Sequence, residues 1–127
     1  MSEPVKILIV DDQPRARQSL RALLATWPLV GTLREANHGA DAIESVTQAQ
    51  PDLVLMDVLM PVMNGLEATR QIKACWPQVK IIVLSLYGDY QAEALAAGAD
   101  AFVSKGVPPD KLLETISIVA AESRRKD

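Results

Sequence analysis

Asp52-Leu53-Val54-Leu55-Met56-Asp57-Val58-Leu59-Met60-Pro61-Val62-Met63-Asn64-Gly65 decides how the whole chain is read. The apolar run from Leu53 to Met56 is too short and too continuous for a surface helix, so it reads as a strand buried on both faces of a parallel sheet. Asp57 ends the run. A carboxylate at the C-terminal end of such a strand sits at the rim where open α/β sheets bind their ligands. Pro61 and Asn64-Gly65 supply turn chemistry, so a tight loop precedes the helical pattern that begins at Leu66. Alone, Asp57 would be a strand-end solvent contact; other residues must give it a role.

Outward from this stretch the same unit repeats. Val5 to Val10 is a second buried run, ending in Asp11-Asp12-Gln13-Pro14, with Pro14 placed to open a helix. That helix carries its apolar stripe at Ala16, Leu20, Leu23, Leu24 and Trp27, and Pro28 stops it. Val30 to Ala36 is a weaker strand, with Arg34 and Glu35 marking an edge. His38, read as a solvent-facing loop residue, and Gly39 turn the chain into a helix closed by Pro51. After the central strand a helix runs to Trp76-Pro77, and Val79 to Leu84 is a fourth buried strand ending at Ser85. Asp89 can cap a short helix to Ala97, with Gly98 as its terminal glycine. Ala101 to Val103 is a short fifth strand leading to Lys105, and Pro108-Pro109-Asp110 opens the last helix. Glu122 to Asp127 is charged and expected to fray. Strands alternating with helices imply an α/β fold: a flavodoxin-like five-stranded parallel sheet, order 2-1-3-4-5, with five helices on both faces.

Composition narrows the function. The 127 residues form one domain, large enough to need no disulfide or metal staple. A net charge of −3 and 4% aromatics leave no basic face for nucleic acid and few rings for stacking bases. The polar start Ser2-Glu3-Pro4 and the lack of a long apolar run point to a cytoplasmic protein with no membrane partner. Cys75, the single cysteine, is read as helix packing in a reducing compartment.

The buried strands end on Asp11-Asp12, Asp57, Ser85 and Lys105, and four such ends on one sheet edge converge on a single cleft. Three carboxylates there repel one another, and Lys105 offsets one charge. The remainder calls for a hard divalent ion with oxygen ligands, and Mg²⁺ suits a site of few carboxylates and several waters. Asp11, Asp12 and Asp57 are the candidate ligands. An ion-bound carboxylate that is also a nucleophile can form an aspartyl phosphate: the ion and Lys105 neutralise the phosphoryl oxygens while Asp57 attacks in line, and Ser85 donates to the added group. The plainer role for Asp11-Asp12, helix capping ahead of Pro14, is compatible with metal binding.

Asp11-Asp12, Asp57 with Met60-Pro61 and Asn64-Gly65, Ser85, and Ala97-Gly98-Ala99-Asp100-Ala101-Phe102 leading to Lys105 together resemble the receiver domain of two-component response regulators. The likeness covers essentially the whole chain. It implies that Asp57 accepts phosphate from a sensor histidine kinase, that the acidic pair holds Mg²⁺, and that Ser85 and Lys105 bind the phosphoryl group. It also implies a phosphorylated switch rather than a turnover enzyme, with Ser85 and Phe102 as the switch residues. Leu84 to Tyr87 and Ala97 to Phe102 are most similar to the NarL/FixJ (LuxR-type) subfamily, whose receivers usually precede a helix-turn-helix domain. The resemblance therefore implies a receiver over residues 1–121, a charged tail or linker over 122–127, a possible homodimer on phosphorylation, and DNA contact only through a C-terminal domain not in this chain. A stand-alone module for protein contacts is the alternative. A haloacid-dehalogenase-like phosphatase would need a second Asp where Leu59 stands. A flavin carrier would need a phosphate cradle where Asp11-Asp12 would repel it. Leu86, Phe102 without a hydroxyl, and Gly106 in place of a frequent Pro depart from the commonest pattern; Gly106 predicts a trans peptide after Lys105.

Overall fold

Strands β1 (Val5–Val10), β2 (Val30–Ala36), β3 (Leu53–Asp57), β4 (Lys80–Ser85) and β5 (Ala101–Ser104) pair entirely in parallel, in the order β2-β1-β3-β4-β5. The computed structural model describes residues 4–124. Helices α1 (Pro14–Leu24), α2 (Gly39–Gln48), α3 (Gly65–Cys75) and α4 (Gln91–Ala96) make the crossovers, and α5 (Pro109–Arg124) follows the last strand. The two-residue period of a strand divides the central run between two cores. Leu53 and Leu55 join Ile7, Ile9, Ile82 and Leu84 against Leu24 of α1 and Leu112 and Ile116 of α5. Val54 and Met56 join Leu8, Val10, Ile81 and Val83 against Val46 of α2, Leu66 and Ile72 of α3 and Ala94 of α4. Residues Leu53 to Met56 are each 0% exposed, which is why the run is apolar on both faces. Burying each such side chain stabilises the fold by roughly 1.5–3 kcal/mol.

Local chemistry sets several ends differently from the sequence expectation. Helix α1 stops at Leu24 rather than continuing to Trp27, because the Thr26 hydroxyl donates to the Leu23 carbonyl at 2.7 Å and diverts the chain into a turn. Trp27 still reaches the core, 7% exposed. His38 is not a free loop residue: it is the N-cap of α2, and its Nδ1 accepts from the Asp41 N–H at 3.2 Å. Asp89 caps nothing. Gly88–Tyr90 forms a 3-10 turn ahead of α4, which starts without a side-chain cap. Gly98 ends α4 in the left-handed region at φ 105°, as its position suggested. The expected fraying from Glu122 is replaced by helix through Arg124, since Ala120-Ala121-Glu122 are strong helix formers with no Gly or Pro among them; the rest of the charged tail lies outside the described residues. Cys75 is exposed at the end of α3, where Ile72 and Trp76 provide the packing instead.

Helix α3 begins at Gly65 behind an Asn64 cap whose Oδ1 accepts from the Glu67 N–H at 2.9 Å. The loop between β3 and α3 holds the one non-glycine residue of positive φ among the described residues, Val62 at 69°, and its side chain is 81% exposed. A β-branched residue in the left-handed region is strained by about 1–2 kcal/mol, and here no burial offsets it. Val62→Asn, a residue that tolerates this conformation, is therefore expected to raise unfolding stability by about 1 kcal/mol in urea at unchanged m-value; an equal or lower stability would show that Val62 is not strained.

Candidate functional site

Sheet register brings the polar strand ends together. Val10 lies opposite Met56, so Asp11, the next residue, comes beside Asp57. On the other side Asp57 lies opposite Leu84, and Ser85 lies opposite Ser104, so that Ser85 and Lys105 follow one step further along the same edge. Behind Asp57 the chain turns tightly: the Gly65 N–H donates to the Val58 carbonyl at 2.9 Å, and a Cβ on Gly65 would overlap the Asp57 carbonyl oxygen. Only glycine lets α3 start that close to the strand end.

The acidic residues anticipated from sequence meet. Carboxylate oxygens of Asp11, Asp12 and Asp57 lie within 4.8 Å of one another. Lys105 Nζ donates to Asp11 Oδ2 at 2.9 Å and stands 3.1 Å from Asp57 Oδ1. The Lys105-Gly106 peptide is trans. Asp11 is 1% exposed, and its Oδ1 also accepts from the Gln13 N–H at 2.9 Å. Helix α1 takes no side-chain cap, so the acidic pair does not act as its N-cap. Among the described residues the Asp12 carboxylate has no hydrogen bond or ion pair, which leaves it the freest of the three to turn toward a cation. With Ser85, Leu59 and Tyr87 these residues line a cleft of about 240 Å³.

Electrostatics follows from this crowding. Burial, and then the neighbouring Asp11 charge, push the Asp57 carboxyl above the usual carboxylate range, against the pull of Lys105. Burial works to depress Lys105, but its hydrogen bond to Asp11 and the charges of Asp57 and Asp11 outweigh it and raise its pKa. Three carboxylates against one ammonium leave two net negative charges, a donor set that fits a hard divalent ion. Ser85 is 2% exposed, its Oγ accepting from the Tyr87 N–H at 3.1 Å, so it forms the cleft wall. Phe102 lies outside the cleft. Half-buried, it packs against the core on the α2–α4 side of the sheet.

Sequence reading missed Arg17, which reaches the site, and Glu35, which holds Arg17. Arg17 of α1 donates through Nη1 to the Asp11 carbonyl at 2.7 Å and through Nε to Glu35 of β2 at 2.8 Å. An Arg six positions after Asp11 and a Glu at the end of the edge strand were the available signals.

Residues 7–117 match the family described as response regulator receiver domain, and the chain belongs to that family. It is thus a receiver, the phosphorylation-dependent signalling module of two-component systems. It is 36% identical over 118 residues to the transcriptional regulatory protein DegU of Brevibacillus brevis, an alignment covering 91% of this chain and 50% of that protein. It is also 36% identical over 119 residues to the chemotaxis protein CheY of Thermotoga maritima, covering 91% of this chain and 97% of that one. Among solved structures, a LuxR-family response regulator from Aurantimonas sp. SI85-9A1 superposes with TM-score 0.89 at 29% identity, covering 94% of this chain and 87% of that chain. The chain spans about half the length of the transcriptional regulators it matches. Among the described residues no helix is long and apolar enough to cross a membrane.

The raised pKa of Asp57 has a thermodynamic sign. A folded carboxyl that keeps its proton to higher pH than the unfolded one favours the fold below the unfolded pKa, and that contribution is lost as pH rises through the folded pKa. In metal-free buffer at pH 7.5, Asp57→Asn is expected to melt above the parent protein, because it removes a buried, repelled charge and keeps an acceptor for Lys105. The advantage should shrink as pH falls through the range where Asp57 protonates. A variant that melts lower at pH 7.5, or gains most at acid pH, would contradict the crowding.

Proposed function

We propose that Asp57 is the phosphoacceptor of this receiver and that a sensor histidine kinase is the donor. One observation carries the reading: Lys105 bridges a fully buried carboxylate, Asp11, and a half-buried one, Asp57, whose own pKa is raised, at the open edge of the sheet. A structural lysine has no need of two carboxylates at a cleft mouth, whereas a phosphoryl transfer site needs a nucleophile beside fixed positive charge.

In the transfer, an Asp57 carboxylate oxygen attacks phosphorus in line. The new O–P bond forms as the P–N bond to the donor imidazole breaks, and the imidazole nitrogen keeps the electron pair. Lys105 exchanges its contact with Asp57 for a phosphoryl oxygen while it keeps its hydrogen bond to Asp11. Ser85 lies at the end of the neighbouring strand, where its hydroxyl can donate to the added group once it releases the Tyr87 amide. Asp12 and Asp57, with Asp11 behind them, would hold Mg²⁺, which when bound neutralises charge on the phosphoryl oxygens. An inward move of Ser85 gives Phe102 room to follow, and the surface of α4 and β5 changes with it. Asp57 phosphate formation and loss are the only chemistry assigned to the chain.

The likeness to the transcriptional regulatory protein DegU and to a LuxR-family response regulator supports an output in transcription, which we place in a C-terminal DNA-binding domain beyond a linker begun by residues 122–127; action in the cytoplasm and pairing on phosphorylation belong to the same proposal. Near-complete coverage of a chemotaxis receiver favours the second reading, a stand-alone signalling module. Incubation with acetyl phosphate should add one phosphoryl group to the chain only when Mg²⁺ is present, and intact-protein mass spectrometry should find none on Asp57→Asn. Equal labelling of both proteins would remove Asp57 from the role.

A further inference from the structure

The turn that carries Asp11 and Asp12 is gripped from outside the cleft. Asp11 is engaged at every polar atom: its N–H donates to the Ala36 carbonyl at 3.2 Å, its two carboxylate oxygens accept from Gln13 and Lys105, and its carbonyl accepts from Arg17 Nη1 at 2.7 Å. Arg17 is oriented in turn by the edge strand. Its Nε donates to Glu35 Oε1 at 2.8 Å, while Arg21 Nε takes Glu35 Oε2 at 2.8 Å. The Arg17 side chain is only 14% exposed, against 45% for Arg21. The hydrogen bond from Arg17, then that from Arg21, holds the Glu35 carboxyl below its usual range, so the clamp stays ionised at neutral pH. A guanidinium can serve a carboxylate and a backbone carbonyl at once with its rigid fork; a lysine ammonium on a flexible stem cannot fix both directions.

We propose that Arg17 is a positioning residue for the acidic turn, oriented by Glu35, and that it acts on the cation site through the Asp11 backbone without touching the ion. The inference rests on the reading of Asp11 and Asp12 as ligands of a divalent ion. Asp12 has no side-chain partner among the described residues, so its direction is set by the backbone of its own turn. Arg17 pins that backbone one residue upstream. Ligands held in place before the ion arrives lose less freedom on binding it. Simple electrostatics has the opposite sign: deleting a cation near three carboxylates should tighten cation binding. The direction of the change therefore separates positioning from charge.

The test is Mg²⁺ affinity of the complete chain, read by isothermal titration calorimetry and by the Asp12 amide resonance, with urea stability measured in parallel. Arg17→Met is expected to weaken Mg²⁺ binding by about tenfold, the usual scale for losing an outer-shell support, and Arg17→Lys to recover only part of it. Arg21→Met is the control, because it breaks the other ion pair on Glu35 and leaves the Arg17 contacts to Glu35 and Asp11 in place; it should lose stability and keep its Mg²⁺ affinity. Should Arg17→Met lower stability too far, Glu35→Gln, which keeps an acceptor for Arg17, should still weaken binding by a smaller factor. Arg17→Met binding Mg²⁺ as tightly as the parent, or Arg21→Met losing affinity equally, would overturn the positioning role alone. A parent protein that binds no Mg²⁺ would overturn the metal reading, and this inference with it.

Discussion

One ammonium group holds the edge of this sheet together. Lys105 follows the last strand, and its Nζ reaches back across the sheet to Asp11 and Asp57, at the ends of the first and third strands. Without that bridge, three carboxylates would face one another at the mouth of a cleft. With it, the site is tolerable but still negative, and that residual charge is what suits the cleft to a cation. The bridge is also an exchangeable one. Asp11 is buried and fixed, whereas Asp57 is less buried and destabilised as an anion, so the lysine has a permanent partner and a replaceable one.

The rest of the architecture supports that arrangement. Two apolar cores, one on each face of the sheet, lock the register that sets the strand ends side by side. A slip of one residue would turn Leu53 to Met56 inside out and move Asp57 away from Asp11. Gly65 lets α3 begin against the Asp57 carbonyl, and the Gly39 N–H donating to the Met63 carbonyl at 3.0 Å ties the loop to α2. The site is thus built on rigid elements, and the loops around it carry the exposed Leu59, Val62, Leu86 and Tyr87.

Much of this was legible in the sequence because burial in a parallel sheet leaves a strong trace. Four apolar runs, each ending on a polar residue, and a weaker edge strand marked the sheet and the converging groups, the order followed from the flavodoxin-like pattern, and those groups do meet. What escaped reading depends on contacts that no short pattern encodes. Thr26 ended α1 early through a hydroxyl bond to its own backbone, and His38 became a cap through one ring nitrogen. Arg17 and Glu35 looked like ordinary surface charges, since only the docking of α1 beside β2 aims the guanidinium at Asp11. The backbone strain at Val62 could not be seen in a sequence that offers no glycine there.

A phosphoacceptor site and a static ion pair differ in whether Lys105 exchanges Asp57 for a group built on it. A crystal structure of the chain with Mg²⁺ and fluoroberyllate, a tetrahedral mimic of the phosphoryl group, reads this directly. The expected result has beryllium bonded to an Asp57 oxygen, Mg²⁺ on Asp12 and Asp57, Lys105 Nζ on a fluoride while still bonded to Asp11, and Ser85 Oγ turned from the Tyr87 amide to the mimic. Beryllium on another residue, or a Lys105–Asp57 pair left unbroken beside a bound mimic, would contradict it.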